Sequence, residues 1–120
     1  MRLATLSTPN GPRLHVRAQG GYVDLGDATG DPRFAAFGSF VAVGPAALEA
    51  ARSLRDRDGR EFRAEDFGPA VPAPERILCL GLNYREHALE GGRAVPSWPD
   101  TFVRGHQTVL GPYADLVKPA

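Results

Sequence analysis

The most informative stretch of this chain is Ile77-Leu78-Cys79-Leu80-Gly81-Leu82-Asn83-Tyr84-Arg85-Glu86-His87-Ala88-Leu89-Glu90-Gly91-Gly92. Its first four residues are apolar on both faces, which predicts a buried central strand. Asn83 is suited to cap a following helix, and Glu86 lies three residues further on, as in a capping box. The two glycines at its end predict that this helix stops after about two turns.

His87 and Glu90 are three residues apart, so they lie on one face of the predicted helix. A histidine with a neighbouring carboxylate is what a general base and its orienting partner require. The alternative is a surface helix with one ion pair, which contributes a few tenths of a kcal/mol. The position directly after a buried strand favours a functional site. The shortness of the helix and its glycine boundary favour a mobile lid.

Composition limits the classes of function. The 120 residues contain 14 Lys and Arg and 14 Asp and Glu, so the formal net charge is zero. This balance predicts no binding to nucleic acid and none to an anionic membrane. Cys79 is the single cysteine, which excludes an internal disulfide and favours a reducing compartment. The most apolar region, residues 34–51, is interrupted by polar residues and glycine, so we expect a soluble, cytoplasmic protein.

The first part of the chain predicts a small α+β domain. Residues 2–6, 13–18 and 22–25 alternate polar and apolar side chains and are separated by Pro-Gly and Gly-Gly turns, which predicts an antiparallel meander. Residues 26–32 are interpreted as a polar loop. Pro45 is well placed to begin a helix that runs to Leu54, because its missing N–H is not needed in the first turn.

The sequence also predicts the structural setting of several other residues. Asp58-Gly59 is expected to end the preceding helix or to turn a hairpin. His15 alternates with apolar neighbours on an outer strand, which predicts a solvent-facing side chain. Cys79 lies in an apolar run, which favours core packing over a role as nucleophile. His106 lies in a loop, and nothing near it in sequence supports a function.

The domain organisation follows from the prolines between residues 69 and 74, which can continue neither a helix nor a sheet. We predict a small domain at residues 1–70, a Pro-rich linker at 71–75 and a second unit at 76–120. A strand at residues 101–104 is predicted within the second unit.

Residues 74–119 resemble the fumarylacetoacetate hydrolase family. Members of that family carry an apolar strand, then Leu-Asn-Tyr, two residues, His, two residues and Glu, as this chain does from Ile77 to Glu90. They continue with a Pro-rich loop, a strand containing phenylalanine and a Gly-Pro turn. The matching residues here are Pro96, Pro99, Phe102, Gly111 and Pro112. Residues 1–70 are similar to the small N-terminal domain of many prokaryotic members.

The resemblance implies a metal-dependent enzyme that cleaves a C–C bond in acylpyruvates or related 1,3-dicarbonyl and 2-oxo acids. In the family, Mg²⁺ or Mn²⁺ acts as a Lewis acid for the developing enolate. By position, His87 would be the general base that activates water, and Glu90 would orient its imidazole. Tyr84 and Arg104 would contact the substrate, and the helix would act as a lid.

The family's metal ligands, a Glu-x-Glu pair and a later aspartate, have no counterparts in these residues. After Glu90 the remaining acids are Asp100 and Asp115. The resemblance therefore implies the N-terminal domain and the first strands and lid helix of an incomplete, mainly β catalytic domain. We expect it to be inactive alone and homodimeric when full-length. The alternatives are a decarboxylase, isomerase or hydratase of 2-oxo acids in the same family, or a non-catalytic remnant that binds a partner.

Overall fold

The computed structural model describes residues 1–119 and has the predicted α+β fold, with two small antiparallel sheets and four short helices within that range. Contacts divide the chain into two compact units. The first unit is Met1–Pro72 together with the segment that begins at Val109, and the second unit is Ala73–Thr108. The boundaries predicted from the sequence, with domains at residues 1–70 and 76–120 and a linker at 71–75, stay a prediction.

The sheet of the first unit is the predicted meander. Its strands are β1 (Leu3–Thr8), β2 (Gly11–Ala18) and β3 (Gly21–Asp24), in the order β1-β2-β3. The alternation of side chains places Leu14 and Val16 on the face that packs against the helices.

A short helix, α1 (Leu25–Thr29), occupies most of the region that we interpreted as a polar loop, and that interpretation was wrong. Asp24 caps this helix by accepting a hydrogen bond from the backbone N–H of Asp27. Gly30 ends it with φ of 72°, a left-handed conformation that glycine adopts readily. Only five residues lie between the Asp24 cap and Gly30, which is too few for a helical pattern of apolar residues to be recognised in the sequence.

Two further helices complete the core of the first unit. The sequence did not predict α2 (Phe37–Val43), whereas α3 (Pro45–Ser53) begins at the predicted proline. The rings of Phe34 and Phe40 meet edge to face, with centroids 5.8 Å apart. The buried core is formed by Leu14, Val16, Leu25, Phe34, Phe40, Ala47, Ala51 and Leu54.

The opposite face of the sheet is covered by residues 57–68, which we call the covering segment. Asp58-Gly59 neither ends α3 nor turns a hairpin, because α3 ends at Ser53 and Gly59 instead donates a 2.7 Å hydrogen bond to the Gln19 carbonyl. Arg60, the next residue of the segment, exchanges backbone hydrogen bonds of 2.8 and 2.9 Å with Tyr22 of β3. This layer hides side chains that the sheet alone would leave in water.

The second unit contains a two-stranded antiparallel ribbon of β4 (Ile77–Leu80) and β5 (Thr101–Arg104). The helix α4 (Arg85–Glu90) lies between the two strands in sequence. The prediction of a fully buried central strand was wrong for the described residues, since Leu78 is 73% exposed. Apolar residues on both faces predict burial only where other layers cover both faces. Within residues 1–119, no helix has the length and apolar character needed to cross a membrane.

Candidate active site

The predicted catalytic residues lie on α4, which begins one residue later than expected. Tyr84 occupies the N-cap position with extended backbone (φ −107°, ψ 130°), and its side chain makes no capping hydrogen bond. The capping box predicted for Asn83 and Glu86 was therefore wrong. With Tyr84 as the cap, Glu86 is only the second helical residue and lacks the spacing that the reciprocal bond requires.

The end of α4 is defined by a Schellman motif. The Arg93 N–H donates to the Ala88 carbonyl at 2.8 Å, and the Gly92 N–H donates to the Leu89 carbonyl at 3.0 Å. Gly92 has φ of 64°, so a residue without a side chain relieves the strain at this position. The glycine stop predicted from the sequence is confirmed.

His87 and Glu90 lie one turn apart on this helix, and both side chains are exposed. No ion pair within residues 1–119 includes either residue. The fold thus presents an imidazole and a carboxylate on one short helix without joining them. Their catalytic roles stay a prediction.

The two predicted substrate contacts lie in the same unit as His87. Tyr84 is 70% exposed at the start of α4. Arg104 is the last residue of β5, opposite Ile77, and its guanidinium carbon lies 5.3 Å from the centre of the Phe102 ring. That contact holds the charged head over an aromatic face, while the side chain stays accessible to an anionic ligand.

The second unit also contains a cleft of about 210 Å³ that the sequence did not predict. The turn after β4 and the Pro-rich loop line it, and its polar residues include Asn83, Ser97 and Asp100. The Gly81 N–H donates a 2.7 Å hydrogen bond to the Asp100 carbonyl, which ties the turn to the loop. Two prolines bracketing Trp98 were the available signal, since such a loop is rigid enough to form a wall.

The resemblance implies a site for a divalent metal ion. Within residues 1–119, no three His, Cys, Asp or Glu side chains are grouped so that they could hold a metal ion. Hard divalent cations require several oxygen ligands. The described residues therefore do not form the site that the resemblance implies.

The first unit holds a second group of charges that the sequence did not predict. Arg13 donates from Nε and Nη2 to the two carboxylate oxygens of Asp24, at 2.5 and 2.9 Å, and from Nη2 to Asp27 at 2.5 Å. Burial raises the pKa of Asp24, but the hydrogen bonds from Arg13 and from the Asp27 N–H outweigh burial and hold that pKa below its usual range. The group joins β2, β3 and the start of α1.

His15 lies beside this charge group and is 3% exposed, so the prediction of a solvent-facing histidine was wrong. The covering segment places the Phe62 ring edge-on to the imidazole, with centroids 5.1 Å apart. Burial is the main cause that lowers the pKa of His15. The strand pattern carried no signal for this burial, because the covering residues lie more than forty positions away.

Several known proteins are similar to this chain in sequence. No family model matches the sequence. Oxaloacetate tautomerase Fahd2a of Rattus norvegicus is 32% identical over 126 residues, which cover 99% of this chain and 40% of that protein. Oxaloacetate tautomerase fahd2 of Xenopus laevis is 29% identical, covering 93% of this chain and 37% of that protein. Both relatives are described as mitochondrial.

Two further matches agree. The fumarylacetoacetate hydrolase domain-containing protein 2 homolog of Dictyostelium discoideum is 41% identical over 46 residues, 38% of this chain. The crystal structure of a Mycobacterium smegmatis protein designated HpcE is similar with a TM-score of 0.78 and 27% identity, covering 100% of this chain and 41% of that chain. The chain spans about two fifths of the length of most of these relatives. Since the similarity in sequence and in fold extends over essentially all its residues, the chain belongs to the fumarylacetoacetate hydrolase family.

Proposed function

We propose that this chain forms the His87-bearing part of an enzyme that interconverts the keto and enol forms of a 2-oxo dicarboxylic acid such as oxaloacetate. One observation carries the proposal: relatives that match 93% and 99% of the chain are named oxaloacetate tautomerases. This reaction is the isomerase alternative of the sequence analysis, and the relatives favour it over C–C bond hydrolysis.

The chemistry requires a base and a means to hold an anion. The C3 hydrogens of such a substrate are acidic because they lie between two carbonyl carbons. In the proposed reaction the imidazole of His87 removes one C3 proton, and the electron pair moves to the C2 oxygen. That oxygen takes up a proton from solvent to give the enol, and the imidazolium releases its proton to solvent, which restores neutral His87. Atoms and charge balance, and no oxidant or water is consumed.

The surrounding residues have distinct proposed roles. Glu90, one turn along α4, stabilises the imidazolium that forms when His87 holds the proton. Arg104 binds a substrate carboxylate through its planar guanidinium. Tyr84, at the start of the helix, contacts the substrate. All four lie in the second unit, and the exposed position of His87 leaves it accessible to substrate.

Hydrolysis of a C–C bond in an acylpyruvate is the second candidate, which the name of the Dictyostelium discoideum relative favours. His87 would then activate water, which adds to the acyl carbonyl before the C–C bond breaks. The electron pair of that bond would leave as the enolate of the 2-oxo acid. The two reactions share an enolate and differ in whether a carbon–carbon bond is broken.

The test uses a complete enzyme, made by joining this chain to the part of the Mycobacterium smegmatis HpcE chain that lies outside the match. Disappearance of enol oxaloacetate is followed by its ultraviolet absorbance, and release of 2-oxo acid from an acylpyruvate is followed in parallel. We expect faster tautomerisation than hydrolysis, and we expect His87→Ala to lower kcat by about 10² to 10⁴.

His106→Ala is the matched control, because His106 is an exposed histidine of the same unit that lies outside α4. Its activity should equal that of the unchanged chimera. An acylpyruvate cleaved faster than oxaloacetate is tautomerised would favour the second candidate. Equal effects of the two substitutions would remove His87 from both mechanisms.

A further inference from the structure

The first unit contains a cleft of about 260 Å³, which we call the meander cleft. Its walls come from the three-stranded meander, the start of α1 and the covering segment. Pockets for drug-sized ligands measure about 300–1,000 Å³, so a cleft of this size suits a smaller metabolite. The lining side chains that matter below are Arg13, His15, Asp24, Asp27, Arg60 and Phe62.

Two hydrogen-bond acceptors face each other at this cleft. The Nδ1 atom of His15 donates to the Arg13 carbonyl at 2.9 Å, so in the neutral ring Nε2 is an acceptor. The Oδ2 atom of Asp24 lies 3.8 Å from Nε2, which is beyond hydrogen-bond distance. A lone pair and a carboxylate oxygen repel each other unless a donor lies between them. A ligand group with two N–H bonds would satisfy both atoms.

The Nε2 atom of His15 is open to the cleft, although the residue is only 3% exposed. Within residues 1–119 this atom makes no hydrogen bond, whereas every side-chain nitrogen or oxygen that is fully shielded from solvent has a partner. Burial lowers the pKa of the imidazole, so the ring is neutral at neutral pH and accepts rather than donates. A buried ring with one unpartnered atom facing a cleft indicates a donor from a ligand.

The charges around this position favour a cationic donor. Arg13 donates to both Asp24 and Asp27, so one positive charge faces two negative charges. With a neutral His15, the group carries a net charge of one negative unit. A positively charged donor is therefore held more strongly than a neutral one such as water.

Arg60 supplies a positive charge elsewhere in the same cleft. Within residues 1–119, no ion pair includes this side chain. Its guanidinium carbon lies 5.0 Å from the centre of the Phe62 ring, and that ring lies 5.1 Å from the imidazole of His15. One aromatic ring thus lies between the cation and the acceptor pair, a spacing that a molecule of a few carbon atoms spans. A planar guanidinium matches the geometry of a carboxylate.

We propose that the meander cleft binds a small amino acid, whose ammonium group donates to His15 and Asp24 and whose carboxylate binds Arg60. Each end of this zwitterion meets the opposite charge, and Phe62 contacts the carbon atoms between the two ends. This site goes beyond the proposed function, because it carries no reaction. All its lining residues belong to the first unit, whereas His87 belongs to the second.

Calorimetric titration of this chain tests the site. The probes are glycine, β-alanine and γ-aminobutyrate, which differ in the separation of ammonium and carboxylate. We expect at least one of them to bind with a millimolar or lower dissociation constant. The same skeleton without its carboxylate or without its ammonium group, such as propylammonium and propionate for β-alanine, should bind at least about tenfold more weakly.

Nitrogen NMR of the imidazole rings identifies the position of the ammonium group. In a chain with labelled histidines, the Nε2 resonance of His15 should move on saturation with the bound amino acid, because this atom then accepts a hydrogen bond. The resonances of His106 should stay unchanged, since that residue belongs to the second unit.

Arg60→Gln tests the carboxylate end. We expect the dissociation constant to rise about tenfold or more, because a charge-assisted hydrogen bond is lost. Arg57→Gln is the matched control, since Arg57 is an exposed arginine of the covering segment outside the cleft lining. It should leave the constant unchanged. Circular dichroism checks the fold of both variants, which the backbone bonds between Arg60 and Tyr22 should preserve.

Three results would overturn the proposal. The first is that none of the three amino acids binds at millimolar concentration, because the cleft would then hold only water. The second is an analogue with a single charged group that binds as tightly as the corresponding amino acid. The third is binding that tolerates Arg60→Gln as well as Arg57→Gln, or that leaves the Nε2 resonance of His15 unmoved.

Discussion

The Nε2 atom of His15 lies 3.8 Å from the Oδ2 atom of Asp24, and the Phe62 ring meets the same imidazole edge to face. On the other side of the imidazole, Nδ1 is 2.9 Å from the carbonyl oxygen of Arg13. A carbonyl oxygen can only accept, so Nδ1 donates this hydrogen bond. In the neutral ring, the lone pair of Nε2 therefore points towards the carboxylate of Asp24. A proton added at Nε2 would face Asp24 but would place a charge in a buried site beside Arg13.

The first prediction concerns pH. Burial lowers the pKa of His15 in the folded chain, and the charge of the Arg13 guanidinium acts in the same direction. The hydrogen bond to the Arg13 carbonyl and the charges of Asp24 and Asp27 only partly oppose this lowering. The unfolded chain therefore binds this proton more readily, and the free energy of unfolding falls as pH drops below about 6.5. Urea unfolding at a series of pH values between about 5 and 8 measures this slope.

His15→Asn is the control for that prediction. It removes the titrating group and retains a side-chain N–H that can donate to the Arg13 carbonyl. We expect a flatter dependence on pH in this interval. A slope equal to that of the unchanged chain would assign the pH dependence to other groups.

The second prediction concerns Asp24, which accepts two bonds from Arg13 and caps α1. Asp24→Ala removes the cap and leaves the half-buried Arg13 without its main partner, so we expect a loss of about 2–3 kcal/mol. Asp24→Asn keeps a capping oxygen and should lose about half as much. Glu49→Gln, at an exposed pair with Arg52, should change stability by less than about 0.5 kcal/mol. Chemical denaturation of the three variants ranks them, and equal losses would contradict the assigned role of Asp24.

The third prediction concerns close packing between the sheet and the covering segment. A Cβ atom at Gly21 would lie 2.2 Å from the Arg60 carbonyl oxygen, whereas a Cβ at Gly38, inside α2, meets nothing within 4 Å. Gly21→Ala must therefore displace backbone, with an expected loss of about 3 kcal/mol. Gly38→Ala should be neutral or stabilise by up to about 1 kcal/mol, because alanine favours a helix. Thermal unfolding of both variants measures the contrast, and a tolerated Gly21→Ala would show that the segment is not held there.

The fourth prediction concerns the end of α4. Gly92→Ala forces a side chain into the left-handed conformation at φ of 64°, at an expected loss of about 1 kcal/mol. The amides of Gly92 and Arg93, which close the Schellman motif, should then exchange faster with solvent. Gly92→Asn should have a smaller effect, since asparagine tolerates this conformation better. Unchanged exchange in Gly92→Ala would mean that the motif does not hold the helix end.

The sequence alone determined the elements whose signals are local. Alternating side chains and turn glycines predicted the three-stranded meander, and Pro45 marked the start of α3. The same applies to the stop of α4 and to the family motif that contains His87 and Glu90. These features depend on residues only a few positions away, so the local sequence is enough to predict them.

The tertiary structure alone decided the surroundings of the side chains. His15 is buried because the Phe62 ring packs against its imidazole. Asp24 caps α1, and Arg13 from the neighbouring strand holds the Asp24 carboxylate in place. Leu78 is exposed although its strand is apolar, since burial depends on which layers cover the strand. A periodic pattern specifies which way a side chain points, but its pKa, its partners and its exposure come from segments that are distant in sequence.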